Sequence, residues 1–114
     1  MQIYQDIWVN GKVETKGIRD CSNRYALIRS LCAKYQRPFT VLDIGTNLGY
    51  FSFRLAYEFD CRAVMVERKG VYLDKLLEVI ARQDKRDHLT LLSGDLNLAI
   101  LNQLGTCEHF DVVL

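Results

Sequence analysis

The chain has 114 residues, 49% of them apolar and 25% charged, with 4 Cys and a formal charge of +1. That length and content give one domain with its own core; they exclude a disordered chain and any global electrostatic pull toward DNA or an acidic membrane. No apolar run approaches the roughly 18 residues that cross a bilayer, and the opening MQIYQDIWVNGK has neither a basic leader nor an apolar run, so a cytoplasmic protein without membrane contact is expected.

Two β-prone runs flank Asn10-Gly11, a pair that tolerates the two positive φ angles of a type I′ turn, which predicts a hairpin. A turn-like stretch over 17–22 follows, with Ser22 placed to cap a helix. Within 23–35, Tyr25, Ile28, Leu31, Cys32 and Tyr35 recur at helical steps, and Pro38 keeps that helix from running on. From Phe39 onward short apolar runs alternate with helical patterns. Strands are expected over 41–44, 63–66, 89–93 and 110–114, and helices over 48–58, 71–82 and 96–104. Leu48, Phe51, Leu55 and Phe59 would form the apolar face of the first of these helices, and Leu73, Leu76, Leu77 and Ile80 that of the second. The charged run 82–88 reads as a solvated connection. Such alternation gives right-handed β-α-β units around a parallel sheet, and strands without period-two polarity imply helices on both faces. The expected architecture is α/β: an N-terminal hairpin and helix over 1–38, then a four-stranded parallel half-sheet over 39–114.

Chemistry concentrates in VLDIGTNLGYFS, residues 41–52, where a strand ends in a tight turn that opens directly into a helix. Open α/β sheets bind ligands beside that first turn. Gly45 permits the sharp turn and leaves room for a ligand. Asn47, tolerant of left-handed backbone, stands where a dinucleotide fingerprint has its second glycine, and Gly49 lets the helix pack closely on the strand. A pyrophosphate needs bare N–H groups at the helix start, which G-x-G-x-x-G supplies and the G-x-x-x-G here does not. With Asp43 two residues before the turn, the pattern favours a ligand carrying a ribose and a charged amino acid end but no phosphate. Asp43 could accept from an ammonium or order a bridging water. Glu67, ending the next strand 22 positions after Gly45, is placed to take both ribose hydroxyls. Ser93-Gly94-Asp95-Leu96 ends the third strand, where Asp95 could accept from an exocyclic amine or cap a helix while Leu96 borders the ring.

The string DIGTNLGYFSFRLA, residues 43–56, resembles the first motif of class I S-adenosylmethionine-dependent methyltransferases, in the D-x-G-x-N-x-G-Y variant of FkbM-like and related small-molecule or glycan methyltransferases. The resemblance covers 39–114. It implies a Rossmann-like methyltransferase half-sheet and S-adenosyl-L-methionine as the cofactor. By the same resemblance Asp43, Gly45, Thr46, Asn47, Gly49 and Tyr50 belong to the methionine end, Glu67 to the ribose and Arg68 to the edge of the adenine. Asp95, between Gly94 and Leu96, would take the adenine amine, and FDVVL over 110–114 would be the fourth strand. The lead-in resembles, more weakly, a segment that helps cover the substrate pocket in some of these enzymes, which implies Arg19, Asp20, Arg24 and Tyr25 on the substrate side. The family sheet has seven strands and this sequence stops at the fourth, so the catalytic residues are expected outside it. An apolar edge at Val112, Val113 and Leu114 then leaves three outcomes, a piece cut from a longer enzyme, a homodimer paired across that edge or a natural remnant, of which the first is favoured.

Two other readings stay open: a nicotinamide-dependent oxidoreductase, disfavoured by the absent second glycine, and a non-catalytic nucleotide-sensing or scaffold domain. The methyl acceptor is unresolved among small molecule, glycan and nucleic acid. Cys21, Cys32, Cys61 and Cys107 form no C-x-x-C pair and read as reduced thiols in or near the core. His88 and His109 lack a triad partner or metal spacing, and Asp111, Trp8 and most tyrosines read as residues of the fold. Residues 1–40 carry seven cations against three carboxylates, a mild basic excess that suits solvated surface or an anionic substrate.

Overall fold

The computed structural model describes residues 2–94, 99, 102 and 110–114. Most of the helix expected over 96–104 lies outside the described residues, as do Asp95, Leu96, Cys107 and His109. The chain enters through a hairpin, β1 (Ile7–Val9) and β2 (Lys12–Thr15), closed by Asn10 at φ 47° and Gly11 at φ 96°. Both angles are positive, as the expected two-residue turn requires, and Val9 pairs with Lys12 across it. The segment before the hairpin runs beside residues 17–19: the Ile18 N–H donates to Ile3 O, and the Arg19 N–H to Tyr4 O. A Cβ on Gly17 would lie 2.4 Å from the carbonyl carbon of Gln5, so glycine is what permits this approach.

Helix α1 (Cys21–Cys32) starts from Asp20, whose Oδ1 accepts from the Asn23 N–H, rather than from Ser22. Its buried stripe is Cys21, Tyr25 and Cys32, with Ile28 partly covered. Leu31, expected inside, is 63% exposed because it stands one position off that stripe. Tyr35 falls beyond the helix and stacks on Phe39 instead.

Strands β3 (Phe39–Ile44), β4 (Cys61–Glu67), β5 (Leu89–Ser93) and β6 (Val112–Val113) form one parallel sheet in the order β5-β4-β3-β6. From β3 the chain winds outward to β4 and β5, then returns to β6 on the other side. Strand order therefore reverses at β3, and the ligand crevice of an open sheet falls at its carboxyl end. Helices α2 (Tyr50–Glu58) and α3 (Val71–Ala81) connect the strands, with a 3-10 turn over Arg86–His88.

Phe53 and Leu55 of α2 and Leu76 and Val79 of α3 join Val41, Ala63 and Met65 in one apolar cluster. Trp8, Cys21 and Tyr25 belong to the same cluster, so hairpin and α1 share the core with the sheet. The opposite face, Leu42 and Val66 with Val64, Leu92 and Phe110, clusters separately and without a residue of α1, α2 or α3. Helices are expected on both faces; these three cover one. In α3 the buried positions are Leu76 and Val79, whereas Leu77, expected beside them, is 51% exposed. The run 82–88 is largely exposed, as expected, except for Gln83, whose amide donates to Trp8 O at 2.8 Å and anchors the hairpin. Cys21, Cys32 and Cys61 are free and buried, and desolvation pushes the Cys61 thiol up to about 12, which leaves it unreactive at neutral pH. Among the described residues no helix is long and apolar enough to cross a membrane.

The strand termini away from the crevice are tied by Asp111. Arg37 donates to its two carboxylate oxygens at 3.1 and 2.8 Å, and the Thr40 N–H donates at 3.0 Å. The guanidinium holds this carboxyl at about 2. Its folded value lies below the unfolded value of about 3.9, so the ionised group stabilises the fold at higher pH, and that stabilisation is lost as pH falls through the folded value. Arg37→Gln is expected to flatten this part of the acid limb, measured as the thermal midpoint between about pH 4 and pH 2.

Candidate functional site

At the end of β3 the backbone passes through Gly45 (φ 68°), Asn47 (φ 56°) and Gly49 (φ 78°) before α2 begins. All three lie in the left-handed region, which glycine enters freely and asparagine tolerates. The two glycines do different work. A Cβ on Gly45 would meet nothing within 4 Å, whereas one on Gly49 would come 2.4 Å from Phe53 Cζ and 2.9 Å from Met65 Cε. Gly45 leaves open space at the strand end, and Gly49 seats α2 against β4.

Every backbone N–H from Gly45 to Tyr50 has a partner within the protein. Gly45 and Thr46 donate to Val66 O at 2.9 and 3.0 Å, and Gly49 donates to Thr46 O at 2.9 Å. The Asn47 N–H donates to Glu67 Oε1 at 2.7 Å. Leu48 and Tyr50 both donate to the side-chain Oε1 of Gln5, each at 3.2 Å. A pyrophosphate would find none of these six donors free.

Two carboxylates hold the turn from opposite sides. Asp43, 4% exposed, accepts at Oδ2 from the Thr46 and Ser52 hydroxyls, both at 2.7 Å. Burial pushes its pKa up, with the charge of Glu67 acting in the same direction and the two hydroxyl bonds against it. Glu67, at the end of β4, is 8% exposed and binds the turn through Asn47.

Two cavities open at these strand ends. One of about 470 Å³ is lined by Glu67, Arg68, Lys69, Gly70, Tyr72 and Gly94, among others. The other, about 230 Å³, is lined by Gln5, Arg19, Arg24, Asp43, Gly45 and Phe51 along with apolar neighbours. The Arg19 guanidinium lies 5.3 Å from the Tyr4 ring centroid and 5.9 Å from that of Phe51. Its Nε is buried with no hydrogen-bond partner among the described residues, and so is Asn47 Oδ1. Arg54 Nε is orphaned in the same way; of the three residues only Arg19 lines one of the two cavities, where a ligand could supply the partner that a buried polar atom needs.

Asp43, Gly45, Glu67, Arg68 and Gly94 therefore line the cavities, as do Arg19 and Arg24. Thr46, Gly49 and Tyr50 hold the turn together; Tyr50 is fully buried, and its hydroxyl accepts from Arg54 at 2.8 Å. Asp20 and Tyr25, expected on the substrate side, serve the fold. Asp20 caps α1, and the Tyr25 hydroxyl donates to Glu58 at 2.6 Å. His88 Nδ1 sits 3.1 Å from Cys61 O, away from both cavities. Gln5, Lys69 and Tyr72 carry no sequence signal as site residues. Gln5 lies 43 positions before Leu48, to which it bonds, and only the folded lead-in brings them together. Among the described residues, no group of three His, Cys, Asp or Glu side chains could hold a metal ion.

No protein-family model matches the sequence, and neither does any curated protein. Solved structures do match. A Klebsiella pneumoniae protein provisionally assigned as an O-methyltransferase aligns with 84% of this chain and 44% of its own, at 24% identity and a TM-score of 0.70. Monomeric WbdD aligns with 86% of this chain and 24% of its own, at 23% identity and a TM-score of 0.65. The glycopeptide N-methyltransferase MtfA, complexed with sinefungin, aligns with 99% of this chain and 40% of its own, at 16% identity and a TM-score of 0.61. The chain shares the Rossmann-like fold of these structures, and it spans less than half the length of each.

The two glycines give a direct test of the turn. Gly49→Ala combines left-handed strain with a clash against Phe53 and Met65 and is expected to cost about 2–5 kcal/mol, against about 1–2 kcal/mol for Gly45→Ala, which meets strain alone. Urea unfolding of the two variants measures the difference.

Proposed function

We propose that this chain binds S-adenosyl-L-methionine and forms the cofactor-holding part of a methyltransferase. The observation that carries the reading is the hydrogen-bond accounting at the turn. No N–H from 45 to 50 is free for a phosphate, while the buried Nε of Arg19, which lines the smaller cavity, has no partner among the described residues. That pattern fits a nucleoside with a zwitterionic amino acid end better than a dinucleotide.

In this reading Arg19 takes the methionine carboxylate, Asp43 faces the ammonium, and the missing side chain of Gly45 gives the methionine room. Glu67 has one oxygen committed to Asn47 and a second with which to accept from ribose hydroxyls. Arg68, Tyr72 and Gly94 wall the larger cavity, which would take the adenine. The bound cofactor supplies an electrophilic methyl on a sulfonium. The contribution of these residues is to fix its position, so that an oxygen, nitrogen or carbon nucleophile meets the methyl in line, which is catalysis by alignment. Residues 1–38 act as a lead-in and 39–114 as the cofactor core. The reduced, buried thiols of Cys21, Cys32 and Cys61 support a reducing, cytoplasmic setting. Val113, 62% exposed on β6 at the sheet edge, supports association of a further strand or a second copy there.

Calorimetric titration of the chain with S-adenosylhomocysteine and with NAD tests this. Heat with the first and none with the second is expected. Glu67→Gln keeps an acceptor for the Asn47 N–H but removes the charge that faces the ribose, and is expected to weaken S-adenosylhomocysteine about tenfold. NAD binding, or no binding of S-adenosylhomocysteine, overturns the reading.

A further inference from the structure

Four of the nine arginines are held in ion pairs. Arg29, Arg37, Arg54 and Arg82 each pair with a carboxylate: Glu58, Asp111, Glu58 and Glu14. Arg19, Arg24, Arg62, Arg68 and Arg86 enter no ion pair among the described residues, and of these five Arg19 and Arg24 line the smaller cavity. Among the described residues, the charged side chains lining that cavity are these two cations and Asp43, an excess of one positive charge. On the cofactor reading above, on which this inference rests, the amino acid end of the cofactor is neutral as a whole: its carboxylate answers Arg19 and its ammonium answers Asp43. Arg24 is left over, and the sulfonium adds a second positive charge nearby. Arg24 is exposed and keeps its hydration beside a neutral third component, whereas a monoanion offsets the positive excess and is drawn to the site by it.

The remaining lining is apolar. Ile28 projects from α1, Ile44 ends β3, Phe51 belongs to α2, and Leu114 follows β6. Ile44, 38% exposed at the carboxyl end of β3, presents part of its side chain to the cavity. Arg24 stands on the first turn of α1, one turn before Ile28, so its guanidinium shares a helix face with that wall.

We infer that the methyl acceptor is a small organic acid whose apolar body rests on Ile28, Ile44, Phe51 and Leu114 and whose carboxylate is held by Arg24. Arg19 and Arg24 then have separate duties, the first toward the cofactor and the second toward the acceptor.

The test uses benzoate as the anionic probe and benzamide as its neutral counterpart, titrated into the full chain saturated with S-adenosylhomocysteine. Benzoate is expected to bind at least about tenfold more tightly than benzamide, because a charged hydrogen bond to Arg24 distinguishes them. Arg24→Gln should abolish that preference while leaving the affinity for S-adenosylhomocysteine within about twofold, and Arg19→Gln should weaken S-adenosylhomocysteine about tenfold. Arg24→Lys, which keeps the charge but loses the planar fork, should retain part of the preference for benzoate. Equal binding of the two probes, or a loss of S-adenosylhomocysteine affinity in Arg24→Gln as large as in Arg19→Gln, overturns the inference and leaves the cofactor reading standing. Failure of the unaltered chain to bind S-adenosylhomocysteine overturns both.

Discussion

Six successive N–H groups at the start of a buried helix must be satisfied, and in this protein the side chains of Gln5 and Glu67 complete what the backbone alone cannot. The Gly45, Thr46 and Gly49 donors find carbonyls close by, but those of Asn47, Leu48 and Tyr50 point away from the sheet ladder. A helix end left unpaired in this setting would forfeit about 1–3 kcal/mol for each buried donor. Gln5 supplies one oxygen to two of them and Glu67 supplies one to the third. In a dinucleotide fold a phosphate plays that part, so the same donors cannot serve both a resident amide and a pyrophosphate. What fills the helix end therefore decides whether a pyrophosphate can be held there.

The lead-in earns its place in the core for the same reason. Gln5 reaches α2 only because Gly17 allows the chain on either side of the hairpin to run in close contact, with Asp6 accepting from the Gly17 N–H at 2.8 Å. Trp8 then packs edge-on to Tyr57, with ring centroids 5.3 Å apart, and its carbonyl takes the Gln83 amide. Asn10 bonds both Arg82 O and the Asp84 N–H, joining the hairpin turn to the end of α3. On the other side, the Arg54 guanidinium lies 4.1 Å from the Tyr25 ring centroid and pairs with Glu58, which binds Arg29 as well. Polar contacts at the rim and aromatic contacts within thus fix α1, α2 and the hairpin as one unit, and that unit delivers Arg19 and Arg24 to the crevice.

The strands and the turn were legible in the sequence because their signals are local. Asn10-Gly11, the apolar runs at β3, β4 and β5, and the glycine spacing after Asp43 each report a backbone requirement that the residue itself must meet. Helix faces were less legible. Leu31 and Leu77 have the right hydropathy but the wrong rotation, and which stripe faces inward depends on the neighbour against which the helix packs. That α1, α2 and α3 all pack on one face was also hidden, since a continuous apolar strand reads alike whether its helices pack on one face or two. Gln5 gave no signal at all. Its role comes from a contact 43 positions along the chain, and a glutamine in a β-prone run looks like a solvated position until the fold closes over it.

Asp43 joins the architecture to the proposed chemistry. Its carboxyl is buried, accepts from two hydroxyls at a single oxygen, and is raised in pKa by desolvation. The two hydroxyls stabilise the ionised form only in part, and Glu67 beside it opposes that form. A cation arriving in the cavity shifts the balance: it lowers the pKa of Asp43, and by linkage the ionised carboxylate binds the cation more tightly. The methionine end of the proposed cofactor brings such a cation as its ammonium. Binding and ionisation then reinforce each other, so the carboxylate that tightens the turn through Thr46 and Ser52 also favours the ligand that the turn is shaped to admit.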